Sequence, residues 1–225
     1  MRRALFACLL SAAALVAVAR AEGAAPPDSA GDLARALQHR YDTVRDFSAD
    51  FTHTYTGGVL RKQVTEHGTV AIKKPGKMRW TYTAPEPKLF VSDGRTMYAY
   101  LPQDKQVLVS DVPPDERAGT AALFLAGRGD LARDFTVSLV PNPAGVTGAR
   151  SLKLVPKVKQ AEYDALVLTM DEALRITALT TADPQGGTST IVFTNLKENP
   201  GLPDNTFAFR IPRGVDVITN GSPSR

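Results

Sequence analysis

From Phe47 onward, apolar and polar side chains alternate with a period of two in short runs, and residues that turn the chain divide one run from the next. A period of two sends successive side chains to opposite faces, which is the pattern of a half-buried strand. Phe47, Ala49, Phe51, His53 and Tyr55 form the first run, which ends at Gly57-Gly58. Others follow at 69–73, 78–82, 89–92, 96–101 and 107–110, then at 135–140, 150–155, 165–171, 176–182, 188–194 and 207–211. Lys74-Pro75-Gly76-Lys77, Pro85-Glu86-Pro87, Asp93-Gly94 and Pro102-Gln103-Asp104 suit tight reversals between them. The pattern predicts one large antiparallel sheet.

Two segments break the period. Ser29-Ala30-Gly31-Asp32 has capping-box spacing and precedes Leu33, Leu37, Tyr41 and Val44, one face of an amphipathic helix. Within 113–135, Pro114 suits a first helical turn, 118–126 is apolar and helix-forming, Gly127 suits the stop, and 130–134 suits another short helical turn. A sheet of about eleven strands curls, and its concave face must be filled by side chains, closed as a barrel or plugged. The two helical segments are the available plugs, and whatever they leave unfilled is an apolar cavity.

The chain has 225 residues, 43% of them hydrophobic and 22% charged, which fits one folded domain. Met1-Arg2-Arg3, the apolar run 4–18 and Ala19-Arg20-Ala21 read as a secretory signal peptide over residues 1–21. A single domain is expected over 22–218, with a polar tail at 219–225. Removing Arg2, Arg3 and Arg20 from 27 basic residues leaves 24 against 23 acidic ones, so the exported protein is nearly neutral. That removes the electrostatic motive for binding nucleic acid or an anionic membrane. The one cysteine, Cys8, leaves with the signal peptide and takes disulfide and thiol chemistry with it.

Catalytic motifs are missing from the sequence. His39, His53 and His67 lack metal-ligand spacing and read as structural histidines, with no metal or other cofactor implied. Gly127-Arg128-Gly129-Asp130-Leu131-Ala132 follows a helix rather than a strand and reads as turn glycines, not as a dinucleotide site. What the early strands carry instead is Phe51, Val70, Ile72, Met78, Trp80, Tyr82, Phe90, Val91, Met97, Tyr98 and Tyr100. Methionine suits surfaces that repack around variable apolar ligands. Residues 121–125 are apolar on more than one helix face, as expected of a helix that is wholly buried or covers a cavity it can leave.

Gly68-Thr69-Val70-Ala71-Ile72-Lys73-Lys74-Pro75-Gly76-Lys77-Met78-Arg79-Trp80 resembles a segment of the LolA family of periplasmic outer-membrane lipoprotein carriers. Leu89-Phe90-Val91-Ser92-Asp93-Gly94-Arg95-Thr96-Met97-Tyr98-Ala99-Tyr100 is similar to that family's next hairpin, and the likeness continues in order to Pro212-Arg213-Gly214-Val215-Asp216-Val217. The resemblance implies a mainly β (α+β) fold: an unclosed antiparallel β-barrel of about eleven strands, with the N-terminal and mid-chain helices forming a lid over a concave apolar face. It implies a periplasmic monomer, not an enzyme, that takes lipoproteins by their acyl chains from an inner-membrane ABC release complex to an outer-membrane receptor. Phe51, Val70, Ile72, Met78, Trp80, Phe90, Met97, Tyr98, Leu123 and Phe124 are the expected cavity residues. Lys74 stands where the family usually places a basic latch for the lid, and lysine lacks the planar fork of the usual arginine. An acyl-sensing regulator, a lipid or glycolipid carrier and a secreted hydrolase are the alternatives.

Overall fold

The computed structural model describes residues 29–57, 62–112, 124–127, 129–159, 163–182 and 185–219. The expected signal peptide, the cavity candidate Leu123 and most of the helix expected at 118–126 lie outside these residues.

Helix α1 (Ala30–Asp42) begins at the predicted cap. The Asp32 N–H donates to Ser29 Oγ at 3.1 Å, and the Ser29 hydroxyl donates to Asp32 Oδ2 at 2.6 Å. The cap satisfies one of the donors a helix start leaves orphaned. Leu33, Leu37, Tyr41 and Val44 form the expected buried stripe, and each fully buried leucine contributes roughly 1.5–3 kcal/mol.

Strands β1 (Asp46–Thr56), β2 (Gln63–Lys73), β3 (Lys77–Ala84), β4 (Lys88–Asp93), β5 (Thr96–Leu101) and β6 (Gln106–Asp111) form one meander. After the short helix α2 (Leu131–Asp134), β7 (Phe135–Val140), β8 (Arg150–Pro156), β9 (Ala165–Met170), β10 (Ile176–Ala182) and β11 (Thr188–Glu198) form a second. The two join by antiparallel pairing of β1 with β11, and β12 (Asp216–Thr219) adds to β6 in parallel. The order across the sheet is β12-β6-β5-β4-β3-β2-β1-β11-β10-β9-β8-β7, so β12 and β7 are its edges and the barrel is unclosed.

The C-terminal part departs from expectation. Residues 207–211 alternate as a strand would, yet Asp204–Phe207 is a 3-10 turn and residues 208–215 are not paired into the sheet. The reason is packing: Phe207 is 1% exposed, and the Phe209 ring lies 5.3 Å from that of Tyr98 and 5.9 Å from that of Tyr100. This stretch straps the convex face, anchored by Lys73 Nζ donating to Leu202 O at 2.8 Å and to Asp204 Oδ1 at 2.7 Å. The twelfth strand comes later and takes in Thr219, the residue at which the polar tail was expected to begin.

Candidate functional site

Cross-strand pairing sorts the side chains by face. One row runs Phe47–Ile72–Met78–Ser92–Met97 across β1 to β5, and the next runs Ala49–Val70–Trp80–Phe90–Ala99. A third runs Phe193–Phe51–Gly68–Tyr82–Lys88 from β11 to β4. Directly opposed residues share a face, so Phe51, Val70, Ile72, Met78, Trp80, Phe90 and Met97 come together on the concave side. Tyr98 does not. Its row is Ala71–Arg79–Val91–Tyr98, on the convex side, where its ring meets Phe209. Assigning it to the cavity was an error of face: on β5 every side chain is half-buried, because both faces are covered and burial alone does not separate them.

The concave face is unevenly filled. Helix α1 touches α2, β7 and β8, and Leu152, Leu154, Leu166 and Leu168 in this half are fully buried. Towards β3 to β5 and on β11, Tyr82, Phe90, Met97 and Ile191 are only partly buried against the same core. Aromatic rings dominate this more open half. Phe51 packs against Trp80 at 5.2 Å and Tyr82 at 4.8 Å, and Tyr82 against Phe90 at 5.7 Å, all near edge-to-face. Gly68 makes that cluster possible: a Cβ there would meet Thr81 O at 2.1 Å and the Phe51 ring at 2.8 Å.

At one end of this face, residues 124–127 close over α1. Phe124, an expected cavity residue, is buried and stacks on Tyr41 at 5.7 Å. The Tyr41 hydroxyl donates to Leu125 O at 2.5 Å, and the Gly76 N–H donates to Ala126 O at 2.9 Å. Lys74 reaches the segment mainly through Tyr41: its Nζ donates to Tyr41 O at 2.5 Å and lies 3.4 Å from the Tyr41 ring centroid. Its stem runs under Gly127, where a Cβ would meet Lys74 Cγ and Cδ at 2.7 Å. Burial pulls the Lys74 ammonium down to about 8, against the opposing pull of Asp42 and Glu198. A cleft of about 100 Å³ opens beside it among Gln38, Tyr41, Lys74, Phe124 and Gly127.

Polar groups occupy the other end, and the sequence reading missed them as a group. His53 Nδ1 lies 3.2 Å from Glu66 Oε2 and its Nε2 lies 2.8 Å from Ser189 Oγ, while Lys88 donates to Glu66 Oε1. The carboxylate only accepts, so Nδ1 carries the proton and Nε2 accepts from the serine hydroxyl. Burial lowers the His53 pKa below its ordinary value, overriding the raising effect of Glu66, so the ring is neutral at pH 7. His39 and His67 are exposed, as the structural reading of the histidines anticipates. A signal for His53 existed: it falls on the apolar phase of β1, where an imidazole has to find partners. Its partners lie 13 and 136 residues away and only strand register brings them in. No cluster of three or more His, Cys, Asp or Glu suited to a metal occurs among the described residues.

The architecture is thus an unclosed antiparallel sheet whose apolar concave face is partly covered by helix α1 and by residues 124–127. The chain belongs to the LolA family: the profile described as "Outer membrane lipoprotein carrier protein LolA" matches residues 42–210. It is 34% identical over 212 residues to the outer-membrane lipoprotein carrier protein of Bordetella avium, covering 93% of this chain and 95% of that one. With the protein of the same description from Cupriavidus pinatubonensis it is 31% identical over 215 residues, 93% and 97% of the two chains. An uncharacterized conserved protein from Thermus thermophilus, of known structure, shares the fold at a TM-score of 0.51 and 15% identity, over 83% of this chain and 98% of that one.

Proposed function

We propose that the protein is a periplasmic lipoprotein carrier that shelters acyl chains on the concave face. The observation that carries this reading is the row of half-buried apolar side chains Tyr82, Phe90, Met97 and Ile191 that lies over the buried Phe51, Val70, Ile72, Met78 and Trp80 on that face. Burying a methylene is worth about 0.8 kcal/mol, so one long acyl chain gains on the order of 10 kcal/mol on leaving water. Free passage of such a chain through an aqueous compartment is therefore prohibitive without a cover. Phe51, Val70, Ile72, Met78, Trp80, Phe90, Met97 and Phe124 line the site in this reading. An inner-membrane ABC release complex delivers the cargo and an outer-membrane receptor takes it, after a signal peptide at residues 1–21 has directed export. Acyl carbons and residues 124–126 compete for one face, so loading displaces that segment, and Lys74 steadies the closed form through Tyr41.

Phe90→Asp is the test. Trp80 is 5% exposed, so a charge there threatens the fold, whereas Phe90 is half-buried. The variant should keep its circular dichroism spectrum and lose lipoprotein carriage; normal carriage by a folded F90D protein would refute the assignment of the site.

A second reading comes from Ser189, His53 and Glu66, which stand in the order nucleophile, base and orienting carboxylate. Against it, Ser189 lies within a ladder, opposite Tyr55 on β1 and Thr181 on β10, so nearby backbone N–H groups serve the sheet instead of an oxyanion. Turnover of a chromogenic fatty-acid ester that vanishes in Ser189→Ala would favour it.

A further inference from the structure

We infer that the indole N–H of Trp80 and the hydroxyl of Tyr82 are donors to the ester or amide carbonyls that join acyl chains to the rest of the cargo. The inference rests on the reading of the concave face as the acyl site. Trp80 Nε1 is buried and has no hydrogen-bond partner among the described residues. Leaving a buried donor unpaired costs about 1–3 kcal/mol, and native structures pair nearly all of them. The orphan stands in the middle of a surface otherwise made of rings and aliphatic chains, where a plain hydrocarbon side chain would have been cheaper.

Tyr82 stands two residues along β3, half-buried, on the same face and about 7 Å away by strand geometry. Its oxygen is 3.5 Å from His53 Nδ1, but that nitrogen already directs its proton at Glu66 and has no lone pair to offer. That contact is long, so the tyrosine hydroxyl is free to turn toward a better acceptor. Burial first, and the Glu66 charge second, push the Tyr82 hydroxyl up to about 12, so it remains a donor at any physiological pH.

The Phe51 ring lies between the two donors, touching both side chains. Methylenes seated on Phe51 place neighbouring carbonyl oxygens within reach of N–H and O–H. Charge narrows the ligand class. Glu66 and Lys88 neutralise one another beside Tyr82, and His53 is uncharged, so this end of the face offers an anionic phosphate no net counter-charge. A neutral carbonyl needs none.

The experiment compares wild type with Trp80→Phe and Tyr82→Phe on three probes: a synthetic peptide bearing S-diacylglyceryl cysteine, phosphatidylglycerol, and an alkyl-tailed fluorophore without any carbonyl. Each substitution should weaken the lipopeptide about tenfold beyond any loss on the alkyl probe, the loss of one good hydrogen bond. Melting temperature should hold in Tyr82→Phe, whereas Trp80→Phe should lower it by the buried ring volume lost beside Phe51 and Phe193. Tyr82→Phe keeps the ring's shape and so reads the donor alone. A loss confined to phosphatidylglycerol would still support carbonyl recognition and assign the carbonyls to a phospholipid. Equal loss on the alkyl probe, or no loss on either acylated probe, overturns the inference. A wild-type protein that binds none of the three overturns the acyl reading of the face itself.

Discussion

Lys74 carries an ammonium into a place where most lysines do not go. Its folded pKa, about 8, lies below the 10.5 of a free lysine because burial outweighs Asp42 and Glu198. Between those two values the unfolded chain binds the extra proton, so this group's contribution to stability rises as pH rises through the window. Below about 8 the burial penalty is present in full. Detection of the lysine side-chain resonances by NMR should find one titrating near 8, well apart from the rest, and Lys74→Arg should abolish that titration. A Lys74 midpoint near 10.5 would show the ammonium to be solvated and the contact with Tyr41 open. The sequence pointed to this residue as a lysine at a turn and, through the family resemblance, at the position of a basic latch. That its partner is the α1 carbonyl of Tyr41, with the aromatic ring beneath it, follows from how the helix lies across the sheet.

At the scale of elements, the sequence spoke clearly wherever a local rule decides the outcome. Ser29 and Asp32 cap α1 because a hydroxyl and a carboxylate at that spacing answer the helix's own orphan groups. The runs at 96–101, 135–140 and 176–182 coincide with β5, β7 and β10, since strand-forming residues bounded by turn residues are a local signal. The strap failed the same test. Phe207, Phe209 and Ile211 alternate, but Phe207 and Phe209 pack on a face of the sheet while Ile211 is exposed, and alternation does not say whether an extended chain pairs at an edge or lies across a surface. Gly68 gives the sharpest check on the junction of β2 and β3. Gly68→Ala would drive a methyl into the Thr81 carbonyl, a backbone atom that cannot swing aside. It should cost about 3 kcal/mol or more in chemical denaturation, at the upper end for overpacking; a cost below about 1 kcal/mol would mean that the two strands separate easily here.

For the molecule as a whole, binding and stability are coupled through the concave face. A ligand that binds only the folded protein adds about 2.7 kcal/mol at a concentration of 100 Kd, which for a chain of this size raises the melting temperature by roughly 5 °C or more. The cost of displacing residues 124–126 is already contained in the measured Kd. A saturating lipopeptide should therefore shift the wild-type transition by that amount and leave that of Phe90→Asp in place; an equal shift in both would put the ligand elsewhere. Most strand positions outside the C-terminal part, the helix cap, the turns and the apolar character of β1 to β5 were determined by the sequence alone, because each depends on residues close along the chain. Which face each row meets, that Tyr98 looks outward, and that His53 finds Glu66 and Ser189 were decided only when β1 paired with β2 and β11. The physical reason is register: side chains alternate every residue, so faces are fixed by pairing across the sheet, and that pairing joins positions more than a hundred residues apart.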